Sequence, residues 1–354
     1  MGRALALVVL AGLLTCAPAS GSGAATPRPK AHLSISPARL SYLGGRVSLT
    51  WSSAHAKTCT LSAEPRLWLG RVRRRVRCNG RLSQAVHAGS FAAHWTLTLA
   101  ARDASGRVAV ARRKLVLRAP PFLVSANWSG YFVPSDNVVT EVSGQFTVPK
   151  LECDGVRTAG ESTWVGIGGA GKAAGALLQT GVRSVCVSGT QFANPGWWAE
   201  FPKYPEVDFA SRFVSAGDSM RATVSRNPDG SWTTRLDDLT TGISGVMTTG
   251  KSYGTVRDSN PSVWLDEEGS AAGVSYSGGY TAEWIVEAFE QADMPLVPLA
   301  DFGSIAFSGL TASPPSWGLT ANERVGLGDA DGNLWAAPSK PDSSGRGFSV
   351  SYTG

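Results

Sequence analysis

The sequence predicts an all-β chain in two parts, a small immunoglobulin-like sandwich followed by a much larger antiparallel sandwich. Three observations carry that prediction. The 354 residues include 41 glycines and few long amphipathic helical patterns, a composition that leans towards strands and turns. Runs of β-formers recur at short intervals between turn residues. The charge also reverses at one point: Met1 to Arg118 holds 19 Lys and Arg against two acids, Glu64 and Asp103, whereas the remainder holds 14 bases against 25 acids. A strongly basic piece is joined to an acidic one.

Residues 1–25 read as an export signal, because Arg3 precedes an apolar run from Ala4 to Leu14 and small residues follow in Ala17-Pro18-Ala19. The expected location is therefore secreted and extracellular. A rival reading is lipid attachment at Cys16, after Leu13-Leu14-Thr15. No other stretch reaches the roughly 18 to 20 apolar residues that span a bilayer, so no integral membrane association is expected. Removing Cys16 leaves Cys59, Cys78, Cys153 and Cys186, an even set that argues for disulfides in an exported protein. Sequence order favours Cys59 with Cys78 and Cys153 with Cys186, although four cysteines allow three connectivities.

The first part, residues 32–118, carries the strand-like segments Arg46–Trp51, Trp95–Ala101 and Val108–Leu117 between turns at Gly44-Gly45 and Asp103–Gly106. It reads as an immunoglobulin-like domain or a prosegment. Its run Arg71-Val72-Arg73-Arg74-Arg75-Val76-Arg77 places four arginines on one strand face, suited to an anionic polymer, to an acidic partner, or simply to a solvated edge. Arg118-Ala119-Pro120-Pro121 interrupts any ladder, because proline lacks the donor, so residues 119–122 form a linker. The second part, residues 123–354, has hairpin signals at Asn227-Pro228-Asp229-Gly230, Thr241-Gly242 and Asp331-Gly332-Asn333. They separate runs such as Gly144–Val148, Thr163–Ile167 and Ser262–Leu265. That regular spacing predicts the large sandwich.

All four histidines, His32, His55, His87 and His94, lie in the first part. The acidic part therefore has no imidazole for a Ser-His-Asp or Cys-His nucleophile, nor for most catalytic zinc sites. It has no phosphate loop and no dinucleotide fingerprint. No cofactor and no metal are expected, so any catalysis there rests on carboxylates and amides. Asp329-Ala330-Asp331-Gly332-Asn333 resembles the start of a calcium loop but lacks the closing glutamate, and reads as a turn. Asn127-Trp128-Ser129 fits a glycosylation sequon, yet its tryptophan suits a core.

The most informative stretch is Thr281-Ala282-Glu283-Trp284-Ile285-Val286-Glu287-Ala288-Phe289-Glu290. As a strand it puts Glu283, Ile285, Glu287 and Phe289 on one face and Trp284, Val286 and Ala288 on the other. A glutamate opening such a bulky strand is costly unless hydrogen-bonded or functional, and desolvation there raises its pKa, as a general acid or base requires. Glu283 and Glu287 would lie about 13 Å apart, beyond the reach of a glycosidase pair. A second polar interruption is Gln179, which follows Leu177-Leu178 and precedes a predicted turn at Gly181. Its amide suits an oxyanion and its carbonyl a water. Trp197-Trp198-Ala199-Glu200-Phe201-Pro202 suits either a cleft wall or a core.

These elements occur together and in order: Asn127-Trp128-Ser129-Gly130-Tyr131, Gln145-Phe146-Thr147-Val148-Pro149, Trp164-Val165-Gly166-Ile167-Gly168-Gly169, Leu177-Leu178-Gln179-Thr180-Gly181, the Trp-Trp-Ala-Glu-Phe-Pro stretch, Ala282-Glu283-Trp284-Ile285-Val286-Glu287 and Pro298-Leu299-Ala300-Asp301-Phe302-Gly303. The set resembles the eqolisins, the glutamic peptidase family, over roughly Ser125 to Leu310. The resemblance implies a legume-lectin-like (concanavalin-like) sandwich with a cleft on its concave sheet, and peptide hydrolysis with Gln179 and Glu283 as the catalytic pair. Glu283 would activate a water and return its proton to the leaving amine, while Gln179 stabilises the oxyanion. Trp164, Trp198 and Glu200 match substrate-cleft positions, with Trp197 competing for the place of Trp198. Gly168 departs from the aspartate that fungal members carry there.

The expected partners are polypeptide substrates and no nucleic acid. The opposite charges of the two parts also suggest that the basic unit docks electrostatically on the acidic one and loosens as carboxylates protonate. A non-catalytic, carbohydrate-binding lectin-like sandwich is the alternative function. The pair Gln179 and Glu283 separates the two, since a lectin has no use for it.

Overall fold

The computed structural model describes residues 26–65, 74–155, 157–170, 177–199, 207–208, 214–250, 275–290, 296–314 and 318–354. The signal-like segment, Arg71, Arg73, Glu200 and the Ser262–Leu265 run lie outside the described residues. The architecture is all-β. Among the described residues the one helical element is a single 3-10 turn at Ala321–Glu323, and no helix is long and apolar enough to cross a membrane.

Eight strands build the first unit: β1 (Lys30–Ser36), β2 (Arg39–Leu40), β3 (Gly45–Ala54), β4 (Thr58–Glu64), β5 (Arg74–Val76), β6 (Gly80–Val86), β7 (Ala93–Arg102) and β8 (Val108–Leu117). They form two sheets, β1-β3-β6 and β2-β8-β7-β4-β5. Alternation turns Leu33, Leu49, Leu97, Leu99 and Leu115 inward, all fully buried, while the polar residues between them face out. The expected strands at Arg46–Trp51, Trp95–Ala101 and Val108–Leu117 fall in β3, β7 and β8. Cys59 and Cys78 are joined.

The second unit comprises β9 (Leu123–Ser125), β10 (Trp128–Val139), β11 (Glu141–Thr147), β12 (Ala159–Gly168), β13 (Leu177–Val187), β14 (Thr190–Ala199), β15 (Val207–Asp208), β16 (Ser219–Arg226), β17 (Trp232–Asp238), β18 (Ser244–Thr248), β19 (Gly279–Glu287), β20 (Ser304–Ser313), β21 (Arg324–Gly328), β22 (Leu334–Pro338) and β23 (Phe348–Tyr352). They make one 15-stranded sheet, ordered β15-β14-β13-β12-β19-β10-β21-β22-β23-β20-β11-β16-β17-β18 with β9 alongside β21. The sheet curls until β11, β16 and β17 lie over β12, β13 and β19. Val165, Ile167, Leu178, Val182, Trp284 and Val286 from one layer then share a core with Val142, Phe146, Ala222, Val224 and Leu236 from the other. Removing this apolar surface from water is what holds the curled sheet closed. Trp284 shows how closely the layers fit. Its Nε1 donates to Ser143 O at 3.0 Å, and a Cβ on Gly144 would come within 2.8 Å of its ring. Cys153 and Cys186 are joined, tying the chain before β12 to β13.

Two expectations need correction. Gly181 is not a turn residue, because β13 runs through it to Val187. What demands glycine there is close approach: a Cβ would lie 2.2 Å from Thr163 O and 2.6 Å from Trp164 Cβ. The contact between the two units is likewise not electrostatic. Gly89 bridges to Asn333, Ser90 N donates to Gly332 O at 2.9 Å and Leu334 N to Ala88 O at 3.2 Å. Ala88, Leu334, Ala337, Tyr42, Phe122 and Val124 pack together beside them, with the Tyr42 and Phe122 rings edge to face at 5.2 Å. The ion pairs among the described residues each stay within one unit. Among the described residues, backbone groups and apolar side chains form the joint.

The other turns behave as read. Asn227–Gly230 joins β16 to β17, Thr241-Gly242 joins β17 to β18, and Asp331–Asn333 joins β21 to β22. Asp329 accepts from Asn333 N, Asn333 Nδ2 and Trp335 Nε1 at 2.8 to 2.9 Å. Burial alone would push its carboxyl up, but these donors hold it below the ordinary value. Its oxygens are thus engaged within their own turn.

Candidate active site

The register of β13, β12 and β19 brings the two candidate catalytic residues into one row. Gly166 of β12 pairs with Gln179 of β13 on one side and with Glu283 of β19 on the other. Directly opposed residues of an antiparallel pair project from the same face. Gln179 and Glu283 therefore stand on one face, two strand spacings or roughly 10 Å apart at Cα, with no side chain between them. The same backbone register continues to Trp198 of β14 beyond Gln179, and Phe132 of β10 flanks Glu283 on the other side. This face is the one turned away from the main core. Its apolar side chains form a separate cluster of Trp164, Leu177, Ile285 and Val325, with Trp128 and Phe132 against it.

Glu283 is fully buried. Thr281, two residues earlier on the same face, donates Oγ1 to Glu283 Oε1 at 2.8 Å. Oε2 has no well-aligned partner, and neither has Oε1 of Gln179, which is 6% exposed. Burial holds the Glu283 carboxyl well above the ordinary carboxylate range; bonds from Thr281 and the Ala170 backbone oppose that shift, and the nearby Glu287 adds to it. The chain beyond β12 closes over this group. Gly168 and Gly169 take φ of +91° and +88°, the left-handed region that suits glycine, and a Cβ on Gly169 would lie 3.3 Å from Glu283 Oε2. The departure to glycine at 168 thus coincides with a turn whose backbone favours glycine.

Gly166 is the floor between the pair. A Cβ there would meet Trp164 Cζ3 at 2.9 Å, Gln179 Cβ at 3.0 Å and Leu177 Cδ1 at 3.1 Å. Trp164 is one wall of the gap. It is fully buried, and its Nε1 donates to Glu287 Oε2 at 2.7 Å.

Residues 126–330, more than half of the chain, match the Peptidase A4 family. The chain belongs to this family. Aspergillopepsin-2 of Aspergillus niger is 32% identical over 208 residues, which cover 53% of this chain and 64% of that protein. Scytalidopepsin B of Scytalidium lignicola is 31% identical over 230 residues, 60% of this chain and 74% of that one. A crystal structure of scytalido-glutamic peptidase with a transition state analog inhibitor aligns at 25% identity over 65% of this chain and 99% of that one, with a TM-score of 0.49. The chain spans less than two thirds of the length of Aspergillopepsin-2.

Within this Peptidase A4 chain, the structure brings Gln179, Glu283 and Trp164 together. It places the Trp198 backbone one strand beyond Gln179, and Glu200 lies outside the described residues. Two glutamates escaped sequence reasoning as parts of the arrangement. Glu287, considered only as a glycosidase partner, is a half-buried acceptor for Trp164 and Asn127. Glu161 on β12 faces the main core, fully buried, with Thr163 Oγ1 donating to its Oε2 at 2.6 Å. Burial pushes each carboxyl up to about 7. Nothing in the letters around Glu161 distinguishes it from a surface glutamate.

Proposed function

We propose that this chain is a secreted endopeptidase working in acid, in which Glu283 and Gln179 activate a water against a peptide bond. The observation that carries the reading is the row Gln179–Gly166–Glu283, with an acceptor oxygen on each flanking side chain that has no well-aligned donor among the described residues. Two acceptors on one face can take the two hydrogens of a single water. Its oxygen is then free to attack a carbonyl carbon lying over Gly166. Glu283 removes one proton as the C–O bond forms, and Gln179 donates its side-chain N–H to the developing oxyanion. The C–N bond breaks as Glu283 returns the proton to the leaving amine. Trp164 walls the gap, while Trp198 and Glu200 are assigned to the substrate cleft. The two joined cysteine pairs and the signal-like first residues support export. The large curled sheet is read as a lectin-like sandwich and the first unit as immunoglobulin-like. A carbohydrate-binding role gives no use to the paired acceptors and is not favoured.

The pH window follows from the burial. The first step needs ionised Glu283, whose pKa is raised, so cleavage rises with pH along its acid limb. Near neutrality the fold itself loses support. Glu161 and Glu287 keep their stabilising neutral forms fully below the unfolded value near 4.5, and lose them as pH rises through about 7. The test is cleavage of an unfolded protein between about pH 2 and 7 by the wild type, Glu283→Gln and Gln179→Ala. Cutting by the wild type alone, with both variants folded, supports the mechanism. An inert wild type, or variants that cut equally well, would sink it.

A further inference from the structure

Glu287 sits two rows from the water-activating pair, at the end of β19, in a pocket made of donors. Asn127 Nδ2 donates to its Oε1 at 2.8 Å and Trp164 Nε1 to its Oε2 at 2.7 Å. The Asn127 amide cannot turn without loss, because Ser125 Oγ donates to Asn127 Oδ1 at 3.1 Å and so leaves Nδ2 facing the carboxylate. The same Ser125 oxygen accepts from the backbone N–H groups of Asn127 and Trp128 at 3.3 and 3.2 Å. Both carboxyl oxygens are thus used as acceptors, which a glutamine amide, with one oxygen and one NH2, cannot reproduce.

The far side of this arrangement is the gap. The indole held at Nε1 by Glu287 is packed edge to face against Trp128, with ring centroids 5.2 Å apart and planes at 78°. Its opposite edge, at Cζ3, is the atom nearest to where a Gly166 Cβ would be. One rigid ring thus spans the distance from Glu287 to the floor between Gln179 and Glu283. Any tilt about Nε1 moves the wall of that gap.

We propose that Glu287 is a positioning residue: oriented by Asn127, it fixes the Trp164 indole and thereby sets the space in which the water and scissile carbonyl meet. The inference rests on the peptidase reading above. It does not require Glu287 to touch substrate or to exchange a proton with it.

The test reverses the polarity of one hydrogen bond and then restores it. Glu287→Gln sets an amide N–H against either Asn127 Nδ2 or Trp164 Nε1, donor against donor. Asn127→Asp removes the donor and sets two acids together. The double substitution lets the introduced amide donate to the introduced carboxylate and still accept from Trp164 Nε1. Each single variant is expected to lose about 100-fold in kcat, the scale of a misplacement near 1 Å, with KM changed far less. The double variant should recover most of that loss. All three are compared with wild type on an unfolded protein substrate, with thermal melting as the folding control. Single variants that are folded and keep wild-type kcat would overturn the proposal. So would a folded double variant no faster than the singles, since a residue that only fills space gains nothing from restored polarity. An inert wild type would instead defeat the peptidase reading, and the positioning role with it.

Discussion

Glu161 and Glu283 occupy neighbouring, hydrogen-bonded strands and differ chiefly in the face they choose. Both are fully buried, and each accepts from a threonine two residues away on its own strand, Thr163 for Glu161 and Thr281 for Glu283. Burial raises both carboxyls. Each also keeps one oxygen without a well-aligned donor among the described residues. Glu161, however, points into the core between the layers, while Glu283 stands across a bare glycine from an amide on the opposite face. On the proposed reading, a perturbed carboxyl is therefore not by itself a catalytic one. What separates the two is a neighbour that can share a water and a floor without a side chain.

Substitutions at the two glutamates should pull activity and stability apart. Glu283→Gln is expected to lower kcat/KM by about 1,000-fold, the scale of a positioned general base, while Glu161→Gln leaves cleavage within a few-fold of wild type in the same assay. If both fell equally, the distinction between the faces would be lost. Glu161→Gln should instead act on melting. The wild-type carboxyl, pushed up to about 7 from 4.5, stabilises fully below pH 4.5 and progressively less up to and beyond 7. An amide does not ionise, so denaturant unfolding at pH 8 should show the variant gaining roughly 3 kcal/mol relative to wild type, against little change at pH 4.

Gly166→Ala sharpens the role of the floor. The new methyl meets Trp164 and Gln179 at about 3 Å, so kcat/KM should drop about 100-fold. A variant with normal turnover and the same melting temperature would show that the gap tolerates a methyl. The smallest effects belong to the threonines. Thr281→Val removes a bond that favours ionised Glu283, which should move the acid limb of the pH–activity profile upward. Thr163→Val should leave that profile in place and cost roughly 1 to 3 kcal/mol of stability.

The strands were largely legible, because alternation is local: Glu283, Ile285 and Glu287 were assigned to one face of their strand and Trp284, Val286 and Ala288 to the other, as the two apolar clusters confirm. The absence of histidine from the acidic part limited the available chemistry without any structure. Register was not legible. Nothing along the chain says that Gly166 lies between Gln179 and Glu283, because pairing is decided by the whole sheet. Gly181 misled for a related reason, since a glycine required by a neighbouring backbone has the same letter as one required by a turn. Charge misled at the level of units, where net values say nothing about which surfaces touch.

The linker has a consequence for any attempt to divide the molecule. Directly after it, β9 (Leu123–Ser125) runs as a parallel partner to β21, the strand beside β10, so the chain leaving the linker enters at once the sheet that carries Glu283. A truncation after Ser125 would strip that sheet of an edge. One made at Pro120 would keep the edge, but would carry Phe122, Val124, Leu334 and Ala337 into water without Tyr42 and Ala88. The second unit cut there should be stickier than the intact chain, eluting as self-associated species that a polar replacement at Phe122 disperses.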